Sequence, residues 1–149
     1  MQDYITGDEF YDLWVLLRRT GHVAVKIRDR ELSPYGLSSV RAAAINIVRL
    51  FKGKASPAEI SRELLREDHT ISYLLNSLEK EGFVKKTKDL KRKNMVRVAL
   101  TKKGRTADKH TINNREHILK IMHVLSEEEC RQMMMYLQRI RDKAIEELG

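Results

Sequence analysis

Residues 56–86 read SPAEISRELLREDHTISYLLNSLEKEGFVKK, and their pattern predicts the central part of the fold. Ser56, the proline after it and Glu59 form a capping-box pattern, which predicts the start of a short helix. Asp68 predicts the N-cap of a second helix, and Gly82 its end. Two short adjoining helices of this kind are typical of a helix-turn-helix.

Two strand-like runs follow the second helix, and a basic loop joins them. They are residues 83–87 (FVKKT) and 95–100 (MVRVAL), both rich in residues that favour strands. Between Lys80 and Arg105 the chain has eleven basic and two acidic residues, a local balance of +9, whereas the whole chain carries +8. We therefore predict a β-hairpin with a positively charged tip.

Helical periodicity continues on both sides of this region. It predicts a long amphipathic helix over residues 8–31 and a second helix over 39–51. After the hairpin it predicts one helix over 101–124 and a final helix that opens with another capping box at Ser126. The order is two helices, the short helix pair, the hairpin and two long helices.

Composition agrees with a mainly helical protein. The chain has 149 residues, 42% hydrophobic and 34% charged, with only two prolines and seven glycines. Its single cysteine, Cys130, excludes a disulfide within the chain. It lies on the apolar stripe of the last helix, where packing is the expected role and a redox switch is the alternative. The sequence contains no long uncharged apolar run, so we expect a cytoplasmic protein with no membrane contact. The net charge of +8 suggests a polyanionic partner.

The second helix of the short pair has an apolar face and a polar face. A helix fits the major groove of B-DNA, and a basic hairpin can contact the adjoining backbone or minor groove. We therefore expect the outward polar side chains to read base edges, the alternative being that they are ordinary surface residues. These side chains are His69, Thr70, Ser72, Tyr73 and Asn76.

The chain resembles the MarR (multiple antibiotic resistance regulator) family of winged-helix transcription regulators over essentially its whole length. Residues 56–86 are similar to the family's third helix and recognition helix, and MVRVALTKKG (95–104) is similar to the strand that leaves the wing. The most specific runs are LEKEGFV (78–84) and LTKKG (100–104). The resemblance implies a mainly α fold with a small β-hairpin wing.

The resemblance also implies how the chain is divided. Residues 1–149 would form a single MarR-like domain, with a winged helix-turn-helix lobe at 38–103. Residues 8–33 and 104–149 would supply the helices of a homodimer. The expected interface residues are Phe10, Leu13, Leu17, Met133, Met134, Leu137, Ile140 and Leu148. The apolar stripe of the last helix permits such an interface, although it could instead belong to the core of one chain.

The wing departs from the family pattern. Where the family has an Asp-Arg-Arg group, this chain has Arg92-Lys93-Asn94, and Asp89 is the carboxylate that could orient a nearby cation. Phosphate or minor-groove contacts are expected from the basic residues of the short helix pair and the wing. They are Arg62, Arg66, Lys86, Lys88, Lys91, Arg92, Lys93 and Arg97.

The predicted function is sequence-specific binding of double-stranded DNA by a homodimer on a pseudo-palindromic operator, most simply as a repressor. The family often binds small aromatic effectors, which implies an effector pocket near Trp14, His22 and Tyr35. The alternative is a winged-helix module that docks RNA or protein through its basic hairpin. No nucleophile with its base, phosphate loop or clustered metal ligands occurs at a diagnostic spacing, so we expect no enzyme activity, no metal and no cofactor.

Overall fold

The computed structural model describes residues 2, 5–93 and 95–149. Its elements are α1 (Glu9–Leu32), a short 3-10 helix (Ser33–Tyr35), α2 (Ser39–Leu50), α3 (Pro57–Leu64), α4 (Asp68–Lys80), β1 (Val84–Asp89), β2 (Met95–Leu100), α5 (Lys102–Asn113), α6 (Glu116–Met122) and α7 (Glu127–Leu148). The predicted mainly helical fold with a β-hairpin is confirmed. Among these residues, no helix is both long enough and apolar enough to cross a membrane. The chain divides into two compact units, Met1–Arg115 and Glu116–Gly149.

Local capping explains where most helices of the first unit begin. At α3 the Ser56 amide donates to Glu59 Oε2 at 2.7 Å, and the Glu59 amide donates to Ser56 Oγ at 3.3 Å, so the predicted capping box is confirmed. The prediction of Asp68 as an N-cap is wrong. Glu67 occupies the N-cap of α4 without a side-chain bond, and Asp68 is the first helical residue, where its charge suits the helix dipole.

The core of the first unit lies where α2, α3, α4 and the hairpin meet. β1 and β2 pair antiparallel from Val84 opposite Leu100 to Asp89 opposite Met95, and the Val98 amide donates to the carbonyl of Ala55 at 2.9 Å. Apolar side chains from all these elements are fully buried, which fixes α4 and the hairpin against one another. They include Ile45, Val48, Ile60, Ile71, Leu75, Leu78, Val84 and Val98.

Two neighbouring side chains on α1 hold the ends of two other helices. Arg28 donates to the carbonyls of Thr111 and Asn114 at 2.6 Å each, at the C-terminus of α5. Asp29 accepts from the Ser39 amide at 2.6 Å and from its hydroxyl at 2.7 Å, at the N-terminus of α2. Each charge matches the dipole of the helix end that it contacts. α1 is thereby tied to the lobe that carries α2 to α5.

The Arg28 contacts also explain an error in the sequence prediction of one helix over residues 101–124. α5 ends at Asn113, and α6 starts at Glu116. The Thr111 and Asn114 carbonyls, which a continuous helix would use internally, accept hydrogen bonds from Arg28 instead. A partner 83 residues away in sequence is invisible to helical periodicity.

The second unit consists of α6 and α7. The predicted capping box of α7 is confirmed, since the Ser126 amide donates to Glu129 Oε2 at 2.8 Å and the Glu129 amide donates to Ser126 Oγ at 3.2 Å. No residue of this 22-residue helix is buried. Its apolar stripe, which includes Met133, Met134 and Ile140, is exposed to solvent in the single chain.

Candidate nucleic-acid interface

The polar face of α4 is fully open. Ile71, Leu75 and Leu78 face the core with no exposed surface. The five predicted base-reading residues are all exposed on the other side, and Tyr73 keeps 80% of its surface accessible. Four of them follow helical spacing and so form one stripe. The stripe consists of His69, Ser72, Tyr73 and Asn76, with Thr70 beside it.

The start of β1 fixes one end of this stripe. The Lys86 ammonium donates to Asn76 Oδ1, and the Lys86 amide donates to Glu79 Oε2 at 3.0 Å. Asn76 therefore presents its amide group in an orientation set by the wing strand. Lys86 itself is half-buried, so the structure gives it an internal acceptor in addition to the DNA contact predicted for it.

Exposed cations lie in the elements that precede and follow α4. Arg62 and Arg66 lie at the end of α3 and just after it, and both are exposed. The other predicted phosphate contacts that are exposed lie along the hairpin and at its tip, where Lys93 adopts a positive φ of 50° in the turn. The hairpin set comprises Lys88, Lys91, Arg92 and Lys93. A polar helix face flanked by cations can read base edges while the cations contact phosphates.

Arg97 differs from the other predicted phosphate contacts. Its side chain is only 12% exposed. The guanidinium donates to the Lys54 carbonyl, lies 3.5 Å from Glu59 Oε2 and donates to Asp89 Oδ2 at 3.4 Å. It is therefore held by three acceptors of the protein. Asp89, considered above as a partner for the tip cations, has Arg97 as its partner.

Sequence reasoning missed two cations that hold the C-terminal end of α4. Arg41 donates to Ser77 Oγ at 3.2 Å and to Glu81, and its guanidinium carbon lies 5.6 Å from the centroid of the Phe83 ring. The Lys103 ammonium donates to the Glu81 carbonyl at 2.7 Å and lies 4.5 Å from the same centroid. Cations at a helix C-terminus offset its dipole and satisfy its last carbonyls. The LTKKG motif contains Lys103 but gives no sign of these partners.

The three residues predicted for an effector pocket do not meet within one subunit. Trp14 lies near the start of α1, where it contacts Tyr11 and Arg18, and His22 is exposed two turns later. Tyr35 follows the far end of α1, about 27 Å of helix beyond Trp14. There its ring stacks on His110 with 4.2 Å between centroids. A single small ligand cannot touch both aromatic residues of the same chain.

The part of the chain that the structure describes contains no group of three or more His, Cys, Asp or Glu side chains placed to hold a metal ion.

Comparison with known proteins supports a DNA-binding fold. Residues 37–104 match the family model of the winged helix DNA-binding domain. Comparison with curated protein sequences gives no match. Among solved structures, the organohalide-sensing transcriptional regulator RdhR with bound 2,4-dichlorophenol is 27% identical, with a TM-score of 0.83 over 93% of this chain and 82% of that one.

Two further structures carry the family name. A mutant of E. coli MarR complexed with operator DNA is 17% identical, with a TM-score of 0.82 over 92% of this chain and 99% of that one. A MarR-family regulator from Rhodococcus sp. RHA1 is 20% identical, with a TM-score of 0.79 over 91% and 96%. At these identities the likeness shows the shared fold. Residues 37–104 are therefore similar to a winged helix DNA-binding domain, and the chain has the fold of these transcriptional regulators.

Proposed function

We propose that this protein is a homodimeric, sequence-specific regulator that binds a pseudo-palindromic operator and represses transcription by occluding a promoter. The observation that carries the proposal is the exposed stripe of α4 beside the cationic hairpin. His69, Thr70, Ser72, Tyr73 and Asn76 would read bases in the major groove, and the hairpin would contact the adjoining backbone or minor groove. DNA as partner makes the cytoplasm the expected compartment.

A second copy of the chain is the proposed cover for two apolar surfaces. Phe10 is 87% exposed at the start of α1, Leu13 is half-exposed beside it, and Leu17 is partly exposed one turn later. The apolar stripe of α7 is exposed as well, at the positions predicted for the interface. These are Met133, Met134, Leu137, Ile140 and Leu148. Apolar area of this extent favours association, and twofold symmetry would place two copies of α4 about 34 Å apart, one turn of DNA.

Selection from a random DNA pool followed by fluorescence anisotropy tests the proposal. The purified protein should enrich a sequence with two inverted half-sites about 10 base pairs apart. It should bind that duplex more tightly than a scrambled one, with an affinity that falls steeply as salt rises. Equal weak binding to both duplexes, or preference for RNA, would contradict operator recognition and favour a docking module.

Variants of the α4 stripe sharpen this test. Tyr73→Ala and Asn76→Ala should lose discrimination between the enriched and scrambled duplexes, because base contacts each contribute about 1–3 kcal/mol of specificity. Glu63→Ala, an exposed α3 position outside the proposed base-reading stripe, provides the matched control.

Light scattering at several concentrations tests the dimer, and it should give twice the mass of one chain. A monomer that still binds full sites would refute the dimer.

A small phenol is the proposed effector class. The support is the 27% identical RdhR structure, which contains 2,4-dichlorophenol, together with the aromatic residues of α1 and the 3-10 helix. Since no single subunit brings Trp14 to Tyr35, such a ligand would be held by one of these ends, or by residues of two subunits. Trp14 is the sole tryptophan, so 2,4-dichlorophenol should quench its fluorescence and release the enriched duplex. Release of the duplex without a saturable change in Trp14 fluorescence, or no release at all, would contradict the proposed effector class.

A further inference from the structure

We propose that Arg97 is a positioning residue, which fixes the wing against the start of α3 so that the wing-tip cations meet the DNA. This inference rests on the proposed DNA binding and deepens it. It replaces the direct phosphate contact that the sequence suggested for Arg97.

The acceptors of Arg97 come from three separate pieces of the lobe. Asp89 is the last residue of β1 and leads into the wing tip, where its other oxygen accepts from the Lys91 amide at 3.0 Å. Glu59 belongs to the capping box of α3, and the Lys54 carbonyl lies in the segment before that box. One planar guanidinium with its fixed fork of donors thus joins the tip of the hairpin to the helix that precedes α4.

The charges around Arg97 are suited to a lasting contact. The hydrogen bond from the Ser56 amide lowers the pKa of Glu59 below its ordinary value, and the Ser56 side chain and the charges of Arg97 and Arg62 lower it further. Glu59 is therefore ionised at neutral pH. With a side chain only 12% exposed, Arg97 is partly shielded from the water and salt that weaken surface ion pairs.

The tip cations have the opposite character. Lys91, Arg92 and Lys93 are exposed, and the described part of the chain shows no side-chain acceptor for any of them. A two-stranded hairpin is only marginally stable alone, so its direction depends on contacts at its base. Arg97 supplies such a contact on the edge where α3 begins. Arg97, whose charge is paired within the protein, therefore sets the direction of the wing tip. The exposed cations of that tip are the ones that can neutralise phosphates.

Three single variants separate positioning from a phosphate contact. Arg97→Lys keeps a positive charge but cannot span Lys54, Glu59 and Asp89 at once. A phosphate contact would survive this change in large part, whereas positioning requires Arg97→Lys to weaken binding nearly as much as Arg97→Met, on the order of tenfold. Asp89→Asn removes a negative charge next to DNA. Simple electrostatics expects tighter binding from that change, and positioning expects weaker binding.

A double-mutant cycle adds a second readout. In the Arg97→Met background, the further change of Arg92 and Lys93 to alanine should produce almost no additional loss, since the misplaced tip no longer contacts DNA. Additive losses would overturn the proposal. So would retained binding by Arg97→Lys or tighter binding by Asp89→Asn. Thermal melting checks that each variant is folded, and Asp89→Asn, which changes a partly exposed side chain, keeps the test open if Arg97→Met does not fold.

Failure of the role proposed for Arg97 can be distinguished from failure of operator recognition. The probe is the duplex enriched by the wild-type protein; if none is enriched, operator recognition has failed, and the same variants are measured on a mixed-sequence 30-base-pair duplex at low salt. Hydrogen exchange in the free protein gives a readout without DNA. Amides of the wing should exchange faster in Arg97→Lys and Asp89→Asn than in wild type, and unchanged protection would contradict the positioning role of Arg97.

Discussion

Gly104 allows a sharp test of how the wing is joined to α5. A Cβ atom added there would lie 2.0 Å from the Phe83 carbonyl oxygen and 3.3 Å from Leu100 Cβ. That oxygen already accepts from the amide and hydroxyl of Thr101 at 3.1 Å each, and Thr101 Oγ1 accepts from the Gly104 amide at 3.0 Å. The close atom is backbone, so Gly104→Ala must displace the junction between α4, β2 and α5.

The magnitude follows from three contributions. Overpacking a tight site costs about 1–3 kcal/mol. Weakening one or two hydrogen bonds at the Thr101 cap adds about 0.5–1.5 kcal/mol, and the better helix propensity of alanine returns about 0.5–1 kcal/mol. We expect Gly104→Ala to lower the free energy of unfolding by about 2 kcal/mol.

Gly21 provides a matched control. It also lies inside a helix, but a Cβ atom added there would meet nothing within 4 Å. The same substitution should therefore stabilise the protein, by about 0.5–1 kcal/mol. Urea denaturation of both variants and wild type, followed by circular dichroism at fixed protein concentration, measures the two effects. Equal stabilities for the two alanine variants would refute the close approach at Gly104.

Three further outcomes are expected. Asp29→Asn should lower the free energy of unfolding by about 1–2 kcal/mol in urea, because the Ser39 end of α2 loses its charged partner. The amides of residues 5–7, led by that of Ile5, lower the pKa of Asp12 below its ordinary value of 3.8. The hydrogen bonds that the amides of residues 5–7 donate to Asp12 should persist above pH 3.8 and be lost as the pH falls below it. Hydrogen exchange would detect this loss in wild type but not in Asp12→Asn. Ser126→Ala should destabilise α7 by about 1 kcal/mol in thermal melts, whereas Ser126→Asp should restore the cap.

The fold was largely predictable because its signals are local. The Ser56 capping box and the apolar spacing from Ile71 to Leu78 lie within a few residues of the contacts that they predict. The alternation of apolar and polar residues around Val98 likewise predicts a strand. Its partner is the strand-like run just before it in the chain. Where a distant side chain intervenes, the prediction fails. Arg28 on α1 ends α5 at Asn113, although the spacing of apolar residues continues past that point.

The candidate site was predictable in composition but not in the division of its roles. Exposure of Tyr73 and its neighbours follows from the polar face of an amphipathic helix. The partners of Arg97 and Lys103 do not follow from the sequence, because their acceptors lie 8 to 43 residues away and depend on how the hairpin packs. Sequence reasoning therefore counted Arg97 as a candidate for DNA contact and gave Lys103 no role.

That division changes what the positive charge can do. Lys103 contacts the Glu81 carbonyl and the Phe83 ring, so its ammonium stabilises the end of α4, whereas Arg92 at the wing tip is exposed. Each phosphate contact that is lost should flatten the plot of log affinity against log salt by about 0.9. Arg92→Ala should therefore reduce the slope by about 0.9 per subunit, and Lys103→Met should leave it unchanged while lowering the melting temperature. Equal changes of slope in the two variants would show that the salt dependence follows only the number of positive charges near the DNA. The internal contacts of these cations would then not determine which of them bind DNA.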